Sequence, residues 1–288
     1  MDRKIGIYYA YWADSWDVDF FPYIKKVKIL GFDQLEIQAA AVADLDIEKR
    51  RDLKREADEQ DITLSYGIGL TADNDVSSLH EETRIKGVEF MKRVIKAVSS
   101  IDGKMISGTV HSYWPAVPPQ GLTDKQAVWD QSIKSMKELV KVAEDHDVIL
   151  NVEVINRFEQ FLLNTSEEAV KYVEQVGSPY CRILLDTFHM NIEEDSIEDA
   201  IKRCGPYLSA LHIGETNRKP PGCGRMPWLE IKKALDDIQF TGSLVMEPFV
   251  LPGGQVGRDI ALWRELMPGA DLDEEAAKAV RFVRDTLC

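Results

Sequence analysis

Cysteine and histidine are scarce, with four Cys and five His in 288 residues. Cys181, Cys204, Cys223 and Cys288 show no CxxC spacing, so they offer neither a thiolate zinc site nor a disulfide framework. They read as reduced thiols in a cytoplasmic protein. Positive charge is also short: 35 Lys and Arg stand against 49 Asp and Glu, a net charge of −14. Such a chain repels polyphosphate backbones, so nucleic acid is not an expected partner. No apolar run approaches the roughly 18 residues of a membrane span, and no membrane association is expected. The opening Met1-Asp2-Arg3-Lys4-Ile5 lacks a signal-peptide pattern and runs into a strand-like segment. No Pro/Gly-rich linker or composition shift divides the chain, so residues 1–288 read as one domain.

What is present is alternation. Strand-like runs cover 5–9, 33–37, 62–66 and 105–110, and four more end at Glu153, Asp186, His212 and Glu247. Between them lie helix-like segments near 17–30, 47–60, 82–99 and 124–145. Val88, Met91, Val94, Ile95 and Val98 have helical spacing, as do Trp129, Ile133, Met136, Val140 and Ala143. Thr165-Ser166-Glu167-Glu168 predicts a capping box opening the fifth helix. Asp195, with Glu198 three residues on, is the expected cap of the sixth. Pro227 suits the first turn of the seventh. Ala276, Val280, Val283 and Leu287 stripe the last. The acidic stretches 44–61 and 271–285 read as solvated outer helix faces. Eight strand–helix pairs of this length predict an α/β fold in which a parallel sheet closes into a single (β/α)8 barrel.

The gaps between Glu153, Asp186, His212 and Glu247 are 33, 26 and 35 residues, about one βα unit each. In one parallel barrel all four side chains converge at the C-terminal rim. Three carboxylates and an imidazole buried together are costly unless they bind a cation, which points to a divalent metal and an enzyme. The oxygen-rich set favours Mn²⁺, Co²⁺ or Mg²⁺ over structural zinc. The loops 113–122, 156–164, 215–226 and 248–257, rich in Gly, Pro and aromatics, follow strands on the same side, where barrel enzymes keep their specificity.

The residues around these ends are more specific. Glu153-Val154-Ile155-Asn156-Arg157-Phe158-Glu159, Asp186-Thr187-Phe188-His189-Met190-Asn191-Ile192-Glu193-Glu194, His212-Ile213-Gly214-Glu215-Thr216-Asn217-Arg218 and Met246-Glu247-Pro248-Phe249 form long ordered motifs. With Gly6-Ile7-Tyr8-Tyr9-Ala10-Tyr11-Trp12 and Ser112-Tyr113-Trp114-Pro115, the chain closely resembles the ketose 3-epimerases over roughly residues 4–267. These are the D-tagatose and D-psicose (D-allulose) 3-epimerase family of the xylose-isomerase-like barrels. The resemblance implies that Glu153, Asp186, His212 and Glu247 hold one Mn²⁺ or Co²⁺, with Mg²⁺ a third candidate, and that Glu153 and Glu247 are the acid/base pair. It implies that Glu159, His189 and Arg218 bind the metal-proximal end of a ketose. Tyr8, Trp16, Ile68, Trp114 and Phe249 would wall its distal end. It also implies a homodimer or homotetramer. Taken singly, Arg218 reads as a solvated loop residue, Glu159 as a surface carboxylate and His189 as a packed ring. His80, His111 and His146 read as surface or loop residues.

The chemistry agrees with the resemblance. Inverting C3 of a ketose means taking a proton from one face and returning one to the other, which two carboxylates of opposite protonation can do. The expected reaction is D-psicose ⇌ D-fructose, with D-tagatose ⇌ D-sorbose. The rivals are sister barrels sharing the metal site: hydroxypyruvate isomerase, inosose dehydratase, L-ribulose 3-epimerase or a phosphopentulose epimerase. The last needs a basic phosphate site, and the loop after the eighth strand offers only Arg258. Gly253-Gly254-Gln255-Val256-Gly257 has only a weak likeness to a phosphate loop. An endonuclease IV-like nuclease would need more histidines and a basic face. An inactive sugar-binding protein would not need the carboxylate pair. Thr216, the 67–71 segment and the 38–42 segment depart from the common family pattern, which leaves the preferred sugar open.

Overall fold

Each short apolar run pairs in parallel with the next, and the eighth returns to the first. The computed structural model describes residues 3–288. The strands are β1 (Ile5–Tyr8), β2 (Gln34–Gln38), β3 (Thr63–Leu70), β4 (Met105–Tyr113), β5 (Ile149–Glu153), β6 (Cys181–Asp186), β7 (Leu208–Ile213) and β8 (Ser243–Met246). They form a closed barrel in sequence order, shut by Ile5, Gly6 and Ile7 of β1 against Leu244, Val245 and Met246 of β8. The helices are α1 (Phe21–Leu30), α2 (Ala39–Asp44), α3 (Ile47–Glu59), α4 (Glu81–Ser99), α5 (Gln126–His146), α6 (Ser166–Val176), α7 (Thr187–Glu193), α8 (Ile197–Cys204), α9 (Trp228–Asp237), α10 (Gly254–Asp259) and α11 (Leu272–Leu287). The predicted (β/α)8 barrel is therefore the fold. Among the described residues no helix is long and apolar enough to cross a membrane.

Several elements differ from the sequence reading. β4 runs on to Tyr113 because Tyr113 pairs with Leu70 and the Trp114 N–H donates to the Leu70 carbonyl at 2.7 Å. That extension carries His111 into the barrel wall, where it is wholly buried rather than a surface or loop residue. Gly108 permits the β3–β4 approach: its φ is +124°, and a Cβ there would lie 2.1 Å from the Ile68 carbonyl oxygen. The first helix starts at Phe21, not near Asp17; Asp19, two residues before it, accepts from the Phe21 N–H at 3.1 Å. The six-residue α2 directly after β2 was not anticipated. Thr165 does cap α6, accepting from the Glu168 N–H at 3.3 Å, but Glu168 returns its bond to Asn164. The cap of α8 is Ser196, which accepts from Asp199 at 3.1 Å, and not Asp195. A serine one residue later places its oxygen over the first free amides of a helix that begins at Ile197.

The helices bury their apolar stripes against the outer faces of the strands. Trp129, Met136, Val140 and Ala143 of α5 are buried as expected, with Ile133 half-buried beside them. Cys181, Cys204 and Cys223 are free thiols. Cys181 and Cys204 are buried, and burial pushes both up to about 12.

Candidate metal centre and active site

The four strand ends converge. Glu153 and Asp186 close β5 and β6, His212 is the penultimate residue of β7, and Glu247 directly follows β8. One ligand atom from each lies within 4.8 Å of the others. Asp186, His212 and Glu153 are 1, 2 and 7 % exposed and Glu247 is half-buried, so two carboxylates and an imidazole share a nearly dry rim with a third carboxylate beside them. The His212 Nδ1 lies 3.4 Å from Glu247 Oε1 and 3.7 Å from Glu153 Oε1 and makes no hydrogen bond. An orphaned imidazole nitrogen facing carboxylate oxygens fits a divalent cation. Asp186 also caps α7 through Oδ1, which accepts from the Phe188 N–H at 2.6 Å and leaves Oδ2 to the site.

Arg218 is the cation already present. Its Nη1 reaches Asp186 Oδ2 at 3.0 Å and Glu247 Oε2 at 2.8 Å, and its Cζ lies 4.1 Å from the centre of the Phe188 ring. Its side chain is 11 % exposed, so the solvated alternative fails. Nη2 lies 3.1 Å from His189 Nε2, and the other His189 nitrogen lies 2.7 Å from the Asn156 amide. Asn156 in turn donates to Glu159 at 2.9 Å, and Glu159 accepts from Trp114 Nε1 at 3.1 Å. One polar chain thus joins Trp114, Glu159, His189 and Arg218.

These groups line a cavity of about 370 Å³, within the size range of small-molecule sites. Tyr8, Trp16, Ile68, Trp114 and Phe249 line it. Trp16 stacks edge-on with Trp114 at 6.1 Å and with Phe249 at 6.2 Å. Of the twelve site residues expected from sequence, eleven line this cavity, and Asp186 joins through the ligand cluster. Sequence reasoning missed Glu36, Gln38, Thr109 and Gln255, which line it too. Glu36, on β2, lies 2.9 Å from His212 Nε2. The Gln38 side-chain oxygen is buried without a partner. Gln34-Leu35-Glu36-Ile37-Gln38 is a period-two pattern that carried the signal: a closed barrel has no solvent face, so alternate polar residues point inward. The 253–257 loop is not a phosphate cradle. The Gln255 and Val256 amides at its helix start already donate to the Asp14 carbonyl at 2.7 and 3.0 Å.

The electrostatics divide the two glutamates. Burial raises Glu153, and the nearby Glu247 adds to this against His212 and Arg218. Burial also acts on Glu247, but His212 and the contacting Arg218 outweigh it and hold the carboxyl well below its usual range. Burial pushes Asp186 up to about 7 despite Arg218. His189 is driven down by burial and Arg218 and is neutral. His212 is held up by Glu36 and Glu247 against burial.

Residues 24–284 match the family model described as xylose isomerase-like TIM barrel. The chain belongs to this family. Within it, the chain is 46 % identical to a D-psicose 3-epimerase of Ruminiclostridium cellulolyticum over 99 % of this chain and 98 % of that protein. It is 42 % identical to a D-psicose 3-epimerase of Agrobacterium fabrum over 99 % of both. A crystal structure of the D-psicose 3-epimerase of Clostridium cellulolyticum H10 with D-tagatose superposes with a TM-score of 0.96, covering 99 % of each chain. As a xylose isomerase-like barrel, the chain carries its cavity at the C-terminal rim, where enzymes of this architecture work.

Proposed function

We propose that the protein is a metal-dependent ketose 3-epimerase acting on free ketohexoses, D-psicose ⇌ D-fructose first and D-tagatose ⇌ D-sorbose second. The observation that carries this is the pair Glu153 and Glu247. Glu153 ends β5 and Glu247 directly follows β8; they lie with the Asp186–His212 ligands at one buried rim and sit in opposed protonation environments. The full-length likeness to D-psicose 3-epimerases supports the same reading.

Glu153, Asp186, His212 and Glu247 would hold one Mn²⁺ or Co²⁺. That ion, when bound, supplies Lewis-acid polarisation of the carbonyl next to C3. The rest falls to side chains. The ionised glutamate takes the C3 proton from one face, and the electron pair left behind spreads over C3, C2 and O2 as an enediolate. The protonated glutamate returns a proton to the opposite face of C3, and each ends in the other's starting state. Arg218, His189 and Glu159 hold the hydroxyl and carbonyl oxygens at the C1–C3 end, while Tyr8, Trp16, Ile68, Trp114 and Phe249 exclude water and pack the C4–C6 end. The 288 residues act as one barrel domain, assembled as a homodimer or homotetramer in the cytoplasm.

The test is a panel of free ketoses incubated with Mn²⁺- or Co²⁺-loaded protein in D₂O. D-psicose, D-fructose, D-tagatose and L-ribulose should take up deuterium at C3 as their C3 epimers form. No C3 exchange with any free ketose refutes the reading.

A further inference from the structure

Behind His212 lies a buried carboxylate that the mechanism above does not use. Glu36, in the middle of β2, is 2 % exposed, and its Oε1 lies 2.9 Å from His212 Nε2. The two atoms are in ion-pair range but form no hydrogen bond as placed, and each is buried with no other partner. Oε2 accepts from the Ser65 hydroxyl at 3.0 Å, and that hydroxyl accepts from Gln34 Nε2 at 2.6 Å. Strand register makes this possible, since Glu36 stands opposite Ser65 on β3. Gly67 keeps the space open; a Cβ there would come within 3.2 Å of Glu36 Oε1.

A carboxylate so buried is costly unless paired. Among the described residues His212 is the ionisable donor in salt-bridge range of it. Ser65 occupies one oxygen, so the other is left to the imidazole. A metal-ligating imidazole has one nitrogen on the ion and a proton on the other, and the partner of that proton fixes which is which. Here the division is unambiguous in space. Nε2 faces Glu36, and Nδ1 faces the oxygens of Glu153 and Glu247.

We propose that Glu36 is a positioning residue of the metal centre. It keeps the proton on His212 Nε2 and fixes the ring plane so that Nδ1 is offered to a divalent cation, while Ser65 and Gln34 hold Glu36 in place. The proposal rests on the metal-centre reading and not on which sugar is turned over. An outer partner of this kind is worth about 10–100-fold in metal affinity.

The test uses the full chain without sugar. Mn²⁺ titration of the metal-stripped protein, followed by the electron paramagnetic resonance signal of free Mn²⁺, should show about 10–100-fold weaker binding for Glu36→Leu. Glu36→Gln, whose amide oxygen can still accept, should fall between Leu and wild type. In Cd²⁺-loaded wild type with ¹⁵N-labelled histidine, His212 should show a protonated Nε2 and a bare Nδ1. Glu36→Leu affinity within twofold of wild type overturns the proposal, as does a proton on His212 Nδ1. If Glu36→Leu does not fold, the wild-type spectrum and the Glu36→Gln titration decide. A protein that epimerises no ketose leaves this test standing, and a failure here leaves the epimerase reading standing.

Discussion

Replacing each glutamate of the pair in turn separates a two-base inversion from every single-base scheme. Glu153→Gln and Glu247→Gln keep shape and a ligating oxygen but remove the proton carrier from one face of the sugar. General acid–base catalysis is worth about 10²–10⁴-fold, or roughly 3–5 kcal/mol. The structure sets the order of the two losses. Glu247 accepts from Arg218 at 2.8 Å, so its amide variant removes the charge from that contact, leaves Asp186 as the one carboxylate on the guanidinium and belongs at the upper end. Glu153 makes no hydrogen bond or ion pair with Arg218; its nearest basic groups are His212 Nδ1 at 3.7 Å and His189 Nε2 at 4.0 Å, which places it lower in the range. The assay follows C3 of D-psicose and D-fructose in D₂O by NMR, at equal metal content. Both variants should lose epimerisation. Each should still exchange the C3 proton of one epimer with retention, through the base that remains, and the epimer should differ between the two. A variant that epimerises within tenfold of wild type refutes the scheme, as does exchange of the same epimer by both.

Metal affinity should fall with acid. Burial raises Asp186 to about 7, and a cation binds only its ionised form, so Mn²⁺ affinity should drop by up to tenfold per pH unit below about 7; calorimetric titrations between pH 5.5 and 8.5 that stay flat would contradict this. His111 should weaken the fold in acid. Burial, with Lys125 adding, lowers its ring to about 3, whereas the unfolded chain protonates it near 6.5. Unfolding then takes up a proton between these values, and stability is lost as pH falls through that window, by up to about 5 kcal/mol. Denaturant melts of wild type and His111→Leu at pH 7 and 4.5 should show a shallower pH dependence in the variant, and equal slopes would exclude His111 as the cause.

The barrel was legible because each strand end carries its own signal. Apolar runs stop at Glu153, Asp186 and His212, and the cost of burying a carboxylate makes the common rim a candidate metal site before any contact is known. What stayed hidden depends on closure. Glu36 looks like the polar side of a half-solvated strand until β1 meets β8 and removes the solvent. His111 looked like loop because the apolar run ends at Val110, while the β3–β4 pairing that extends the strand involves Leu70 and Trp114, residues 40 or more positions apart. Ser196 and Asp195 are both good caps, and only the backbone path chooses between them.

Arg218 shows how far the site is built before any sugar arrives. It lies in the loop after β7 with φ at +65°, a left-handed conformation that a long side chain rarely takes. Such a backbone persists only where its surroundings over-determine it. Here Glu215, wholly buried, accepts from the Gly222 and Met226 amides at 2.8 and 3.0 Å and from Trp228 Nε1 at 3.0 Å, gathering the loop around one carboxylate. The Arg218 N–H donates to the Glu215 carbonyl at 3.0 Å, and its own carbonyl accepts from the Phe249 N–H at 2.9 Å. Gly224 must lack a side chain, since a Cβ would sit 2.4 Å from Glu215 Oε2. The guanidinium is therefore aimed by the loop and not by the sugar. A cation fixed against Glu247 but not Glu153 keeps the two carboxyls unequal in the free enzyme, and an inversion that begins with one base ionised and the other protonated needs that inequality from the outset.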